Sequence, residues 1–189
     1  MNTSEAASPG SGAVLIIEDD ADVERAARIV LSTRFPRIDA LSSPGPQLEA
    51  QLTDASYDAA LLDMNFVAGE RSGAAGLDAL TRIQTCDACL SVVLMTAYGG
   101  VALAVAALKR GAVDFILKPW HNEKLVAAVT AAAQRTRERR VAEAQTLDAL
   151  ERSAIERAMV RAGGNVSLAA QALGISRPAL YRRLSKYGL

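Results

Sequence analysis

Glu18-Asp19, Asp63, Thr96 and Lys118-Pro119 each stand where a short apolar run ends, the position at which ligands and chemistry collect in an open parallel sheet. Together they carry the groups that phosphoryl transfer to a carboxylate requires. Three clustered carboxylates repel one another and stay ionised at neutral pH only with a cation among them, and a hard oxygen set suits Mg²⁺. One carboxylate can then attack phosphorus and become an aspartyl phosphate. The equatorial phosphoryl oxygens need fixed donors and positive charge, which the Thr96 hydroxyl and the Lys118 ammonium supply. Asp63, closing the run Tyr57–Asp63, is the natural nucleophile. Singly each residue is ordinary: an Asp at a strand end is commonly a turn former, and Thr is common in strands. The inference rests on their conjunction at four successive run ends. Asp20 falls outside the set and reads as the N-cap of a first helix.

The elements that must position these residues follow from the hydrophobic pattern. Apolar runs Ala13–Ile17, Ile38–Leu41, Ala59–Leu62, Leu90–Met95 and Ala112–Leu117 are predicted strands. Helical spacing predicts helices near 21–34, 45–54, 74–85, 100–110 and 122–140. Five β-α repeats imply an α/β fold, a doubly wound parallel sheet with helices on both faces.

This ordered set of acidic pair, Asp, Thr and Lys-Pro closely resembles the receiver domain of two-component response regulators. The resemblance implies a flavodoxin-like strand order 2-1-3-4-5 over residues 13–135. It implies Asp63 as phosphoacceptor, and Glu18, Asp19, Asp63 and the Asn65 backbone carbonyl as the Mg²⁺ site. It makes Thr96 and Phe115 the switch residues, and a cis Lys118-Pro119 peptide that turns the lysine toward the phosphate. The implied partner is a separate sensor histidine kinase, and the implied chemistry is slow self-phosphorylation and self-dephosphorylation rather than enzymatic turnover. One stretch departs from the family pattern. Val67 stands where many receivers have proline, and Phe66–Gly76 is longer, with three glycines and Glu70-Arg71.

The last 43 residues carry a second signal. Leu147, Leu150, Ala154, Ile155, Ala158 and Met159 recur at helical spacing, and Gly163-Gly164 supplies a stop. A short helix over Val166–Leu173 follows, then Gly174-Ile175-Ser176, then a third helix from Arg177 with Ser176 as N-cap and Pro178 in its first turn. Helix, tight glycine turn and helix is the arrangement of an all-α helix-turn-helix. Leu173, Ile175, Leu180 and Leu184 are expected as its internal seam. Arg177, Tyr181, Arg182, Arg183 and Lys186 are expected to face outward, toward base edges and phosphates of double-stranded DNA. Gly163–Ser167 through Leu180–Leu184, ending in Tyr187-Gly188-Leu189, resembles the Fis-type domain, a family that dimerises through its leading helices. A homodimer is therefore implied. Receivers joined to Fis-type domains usually belong to the nitrogen-regulator C-like group, with an ATPase domain between the two. This chain has no Gly-x-x-x-x-Gly-Lys-Ser/Thr loop and no room there for that domain.

Composition agrees with two parts. The chain has 189 residues, 50% hydrophobic, with no net charge. Residues 147–189 hold seven Lys/Arg against three Asp/Glu, a net +4, so the remainder carries −4. Residues 1–12, rich in Ser, Ala, Gly and Pro, read as a disordered tail, and 136–146 as a helical linker. No apolar run of membrane-spanning length or signal peptide is evident, so a cytoplasmic protein is expected. Cys86 and Cys89 have C-x-x-C spacing, but one such pair and a single histidine, His121, cannot make a four-ligand zinc site. Two rivals are weighed. Haloacid-dehalogenase-type phosphohydrolases need Asp-x-Asp, whereas Asn65 stands two residues after Asp63. A constitutive DNA-architectural protein would bind DNA without regard to Asp63. The expected function is a response regulator whose Mg²⁺-dependent phosphorylation on Asp63 controls sequence-specific DNA binding and transcription.

Overall fold

A computed structural model describes residues 12–66, 73–97 and 101–189. The tail expected at the amino terminus and the Val67 and Glu70-Arg71 positions lie outside these residues, apart from Gly12. Two compact units divide at Arg139/Arg140.

The first unit holds strands β1 Ala13–Ile17, β2 Arg37–Leu41, β3 Ala59–Asp63, β4 Ser91–Thr96 and β5 Asp114–Leu117. Between them lie helices α1 Ala21–Ser32, α2 Gln47–Asp54, α3 Ala74–Cys86 and α4 Val101–Lys109. All strands are parallel, in the order β2-β1-β3-β4-β5. Parallel strands covered on both faces read as unbroken apolar runs, and β1, β3 and β4 are buried at every position. Side chains alternate across the sheet, so successive residues feed two cores. Leu15, Ile17, Leu62, Leu94 and Leu80 fill one; Val14, Ile16, Leu61, Val93 and Val129 fill the other.

Two helix-borne groups fix local geometry. Asp20 caps α1, its carboxylate accepting from Asp22 N–H and Val23 N–H at 2.9 and 3.2 Å. Gly76, in the first turn of α3, lies against the backbone that follows β3. A Cβ there would stand 2.6 Å from Met64 Cα and 2.9 Å from Met64 O, closer than any side chain tolerates.

The predicted helices over 122–140 and 147–162 are one element, α5 Asn122–Arg161, 40 residues long. Nothing in Arg135–Thr146 breaks a helix: it contains neither Gly nor Pro, and its Arg, Glu, Ala and Gln residues are strong helix formers. Within the first unit α5 is tied to the sheet by Thr136, which is fully buried. The Thr136 hydroxyl donates to Ala132 O (3.2 Å) and accepts from Ser91 N–H (2.9 Å). Arg137, one residue on, pairs with Asp58 at 3.3 Å.

The second unit packs the end of α5 against α6 Val166–Ala172 and α7 Arg177–Tyr187. Ile155, Ala158, Ala169, Ala170, Leu180 and Leu184 form its core, with Leu173 and Ile175 partly buried against it. Ser176 caps α7, and the preceding turn needs Gly174 at φ 66°, where a Cβ is costly. Asn165 caps α6, accepting from Ser167 N–H and Leu168 N–H.

Candidate functional site

The carboxyl ends of β1, β3, β4 and β5 bring the predicted residues together. Glu18 and Asp19 follow β1, Asp63 ends β3, Thr96 ends β4 and Lys118 follows β5. One carboxylate oxygen from each of Glu18, Asp19 and Asp63 lies within 4.8 Å of the others. Glu18 and Asp63 are buried at 3% exposure, whereas Asp19 opens to solvent.

Lys118 Nζ stands between the two buried carboxylates, 2.6 Å from Glu18 Oε2 and 2.8 Å from Asp63 Oδ1. The other Asp63 oxygen accepts from Asn65 N–H at 2.7 Å. The backbone cooperates: Lys118 N–H donates to Thr96 O (2.8 Å), and Met64 N–H to Met95 O (3.1 Å). The Lys118-Pro119 peptide is cis.

Electrostatics follow from this burial. Loss of solvation pushes the Glu18 carboxyl above its ordinary range, an effect that Lys118 opposes. Burial alone would lower the Lys118 ammonium; hydrogen bonds and charge from Asp63 and Glu18 outweigh it and raise its pKa. One ammonium therefore partly neutralises two buried carboxylates, and a third carboxylate lies at the rim. Such a hard, oxygen-only set fits Mg²⁺. Asn65 Oδ1, buried beside it, accepts no hydrogen bond, leaving a further oxygen with unused capacity near the cluster.

Thr96 is buried at 5% exposure. Phe115, in β5 opposite Leu94, is 37% exposed and faces out from the sheet, close in strand register to exposed Leu117 and near Val105 and Leu108 of α4 in sequence. Gly76 is a residue that sequence reasoning missed. A glycine inside a helical pattern is the signal that could have found it, since such a residue usually has a packing reason.

In the second unit Arg177, Tyr181 and Arg182 are exposed on α7. Lys186 is exposed as expected and Arg183 is half-buried, but both are paired with carboxylates. Arg183 Nε is 2.6 Å from Glu151 Oε1, and Lys186 Nζ is 2.8 Å from Asp148 Oδ1. Both partners lie on α5, and the charge pattern of α7 alone does not reveal them. The two cysteines are free, Cys86 exposed and Cys89 buried. No helix among the described residues is long and apolar enough to cross a membrane.

Each of the two units matches a known family. Residues 14–130 match the response regulator receiver domain, and residues 146–187 match the bacterial regulatory protein, Fis family. Nodulation protein W of Bradyrhizobium diazoefficiens is 29% identical over 130 residues, 69% of this chain and 55% of that protein. The alginate biosynthesis transcriptional regulatory protein AlgB of Pseudomonas aeruginosa is 33% identical over 121 residues, 64% of this chain and 26% of that protein. This chain thus spans only part of either relative's length. Among solved structures, a receiver domain of a two-component response regulator from Bacteroides fragilis shares 37% identity at TM-score 0.58, covering 66% of this chain and 98% of that one. NtrX from Brucella abortus in complex with ATP shares 25% at TM-score 0.63, covering 78% and 34%. With residues 131–145 separating the two matched regions, no ATPase domain stands between them, and the chain belongs to the response regulators, as a receiver domain followed by a Fis-family helix-turn-helix domain.

Proposed function

We propose that this protein accepts a phosphoryl group on Asp63 from a sensor histidine kinase and thereby controls sequence-specific DNA binding and transcription. The observation that carries this reading is the convergence at one end of the sheet of three carboxylates, Glu18, Asp19 and Asp63, with oxygens within 4.8 Å of one another, and of Lys118, which pairs with Glu18 and Asp63.

In the transfer, an Asp63 carboxylate oxygen attacks phosphorus while the bond from phosphorus to the donor histidine nitrogen breaks. The nitrogen leaves with the bonding pair. Lys118, already held 2.8 Å from Asp63 Oδ1, meets the incoming phosphoryl oxygens, and the Thr96 hydroxyl donates to another. Glu18, Asp19, Asp63 and the Asn65 carbonyl would hold Mg²⁺, which supplies charge neutralisation for the crowded oxygens. Asp63 carries the phosphoryl group but turns over no free substrate.

The added group brings roughly −2 charge at neutral pH, which acts at a distance only by biasing a two-state element. Thr96 moving toward the phosphate and Phe115 rotating inward from its exposed position would be that element. Apolar Val105, Leu108 and Leu117, also exposed, offer a face on which two copies can pair. In the helix-turn-helix unit, Arg177, Tyr181 and Arg182 would read base edges, with Lys186 adding positive charge toward phosphates. A homodimer would place two α7 helices in successive major grooves.

Acetyl phosphate is expected to add one phosphoryl group, measured by intact mass, only when Mg²⁺ is supplied, and none to Asp63→Asn. Equal labelling of that variant would overturn the acceptor assignment.

A further inference from the structure

We infer that Glu151, on α5, is a positioning residue for α7, holding Arg183 and Tyr187 so that the exposed side chains of α7 keep a fixed rotation about the helix axis. This rests on the reading of α7 as the DNA-reading helix.

Glu151 uses both carboxylate oxygens on α7. Oε1 accepts from Arg183 Nε at 2.6 Å, and Oε2 accepts from the Tyr187 hydroxyl. Arg183 and Tyr187 are one turn apart and so share a helix face; Tyr181, at helical spacing, projects from the far side. Asp148, one turn before Glu151, accepts from Lys186 Nζ at 2.8 Å and has its Oδ1 3.2 Å from the Tyr187 hydroxyl oxygen, whose one proton goes to Glu151 by the shorter contact. Lys186 Nζ also stands 4.7 Å from the centre of the Tyr187 ring. Two carboxylates of α5 thus hold three side chains in the last two turns of α7.

The core beneath is made of Leu180 and Leu184 against Ile155 and Ala158. Apolar contacts of this kind are non-directional and leave small rotations of a helix inexpensive. The paired hydrogen bonds of Glu151 are directional. They decide where Arg177, Tyr181 and Arg182 point.

The sign of the effect separates this role from others. A carboxylate near DNA repels phosphates, so removing its charge without a positioning role should strengthen binding to every duplex. A positioning role predicts the opposite for the cognate site alone. Arg183 likewise becomes part of the frame: as a phosphate contact its loss would flatten the salt dependence by roughly 0.9 in log-log slope, whereas as a frame residue its loss leaves the slope unchanged.

The test uses the full chain and two probes: a duplex enriched by the wild-type protein from a randomised pool, and a base-scrambled duplex of equal length. For Glu151→Gln, affinity for the enriched duplex should fall about fivefold, the scale of one partly exposed charged pair, with no fall for the scrambled duplex. Arg183→Gln should behave alike, and the double variant should lose less than the product of the single losses. Tyr187→Phe, which keeps every charge, should lower the same ratio to a smaller extent, and it reports independently if Glu151→Gln lowers the melting temperature. Even strengthening on both duplexes by Glu151→Gln, or independent losses in the cycle, would overturn the inference while leaving DNA reading intact. If the wild-type chain enriches no sequence from the pool, the DNA-reading proposal itself fails.

Discussion

At Lys118 one ammonium serves two buried carboxylates at once, and removal of it alone leaves Glu18 and Asp63 facing each other without compensation. Breaking one side of a buried ion pair costs about 3–5 kcal/mol. The Lys118 side chain retains 15% exposure, so Lys118→Met is expected to cost about 2–3 kcal/mol in metal-free buffer. Added Mg²⁺ should recover part of that loss, because a cation again sits among the oxygens. Urea unfolding with and without Mg²⁺ measures both, and a variant that unfolds like wild type in both buffers would contradict this account. At this scale the sequence was highly informative. Glu18, Asp19, Asp63, Thr96 and Lys118 were legible because each ends an apolar run, and a parallel sheet gathers its strand ends. The bridging position of Lys118 was not legible, since it lies 100 residues from Glu18 and depends on where the chain turns after β5.

Among the elements, α3 packs directly on the backbone next to the acceptor, at Met64. In Gly76→Ala the new methyl meets Met64 backbone rather than a yielding side chain. Overpacking of this kind costs about 1–3 kcal/mol, against which the better helix propensity of alanine returns about 1 kcal/mol. A net loss in stability is expected, with slower labelling of Asp63 because Met64 is its neighbour; unchanged labelling kinetics would show that the segment relaxes freely. In the helix-turn-helix unit the Tyr187 hydrogen bond, with Arg183, holds the Glu151 carboxyl below its ordinary range, and Lys186 does so for Asp148. A lowered folded-state pKa stabilises above the unfolded value and is lost as pH falls through the folded one. The carboxylate contribution of this unit should accordingly hold from neutral pH down to the ordinary carboxylate range and fade on further acidification. Carbon-detected NMR titration of the two carboxyls checks this, ordinary values at both being the contrary result. The strands were legible because burial on both faces leaves unbroken apolar runs. The helical linker expected over 136–146 is helical and continuous with the segments on either side of it, although every residue from Val141 to Leu150 is exposed and no apolar stripe marks the helix there. Only the absence of a breaker does.

For the whole molecule, charge and chemistry divide along the chain. The carboxyl-terminal 43 residues carry net +4 and the rest −4, which favours phosphate contact at one end and cation capture at the other. Deleting residues 147–189 is therefore expected to abolish DNA binding in footprinting while leaving phosphoryl labelling of Asp63 intact. Loss of labelling, or surviving sequence-specific protection, would contradict that separation. For the full chain, protected half-sites should be related by approximate twofold symmetry about 34 Å apart. The presence of two units was legible in the change from β-α alternation to helix-turn-helix chemistry. The pairing of Glu151 with Arg183 was not, because the two are 32 residues apart and meet only through the packing of α7 on α5.

The hydrogen bond from Ser91 to Thr136 has a consequence for measurement. The first amide of β4 donates to the Thr136 hydroxyl of α5, so protection of its proton depends on that helix being in place. Exchange of that proton with deuterated solvent requires the hydroxyl to withdraw. Ser91 N–H is thus a built-in gauge of helix docking: a one-residue clock that runs fast when α5 lifts from the sheet and slowly when it is seated, readable before and after phosphoryl loading in the unmodified protein.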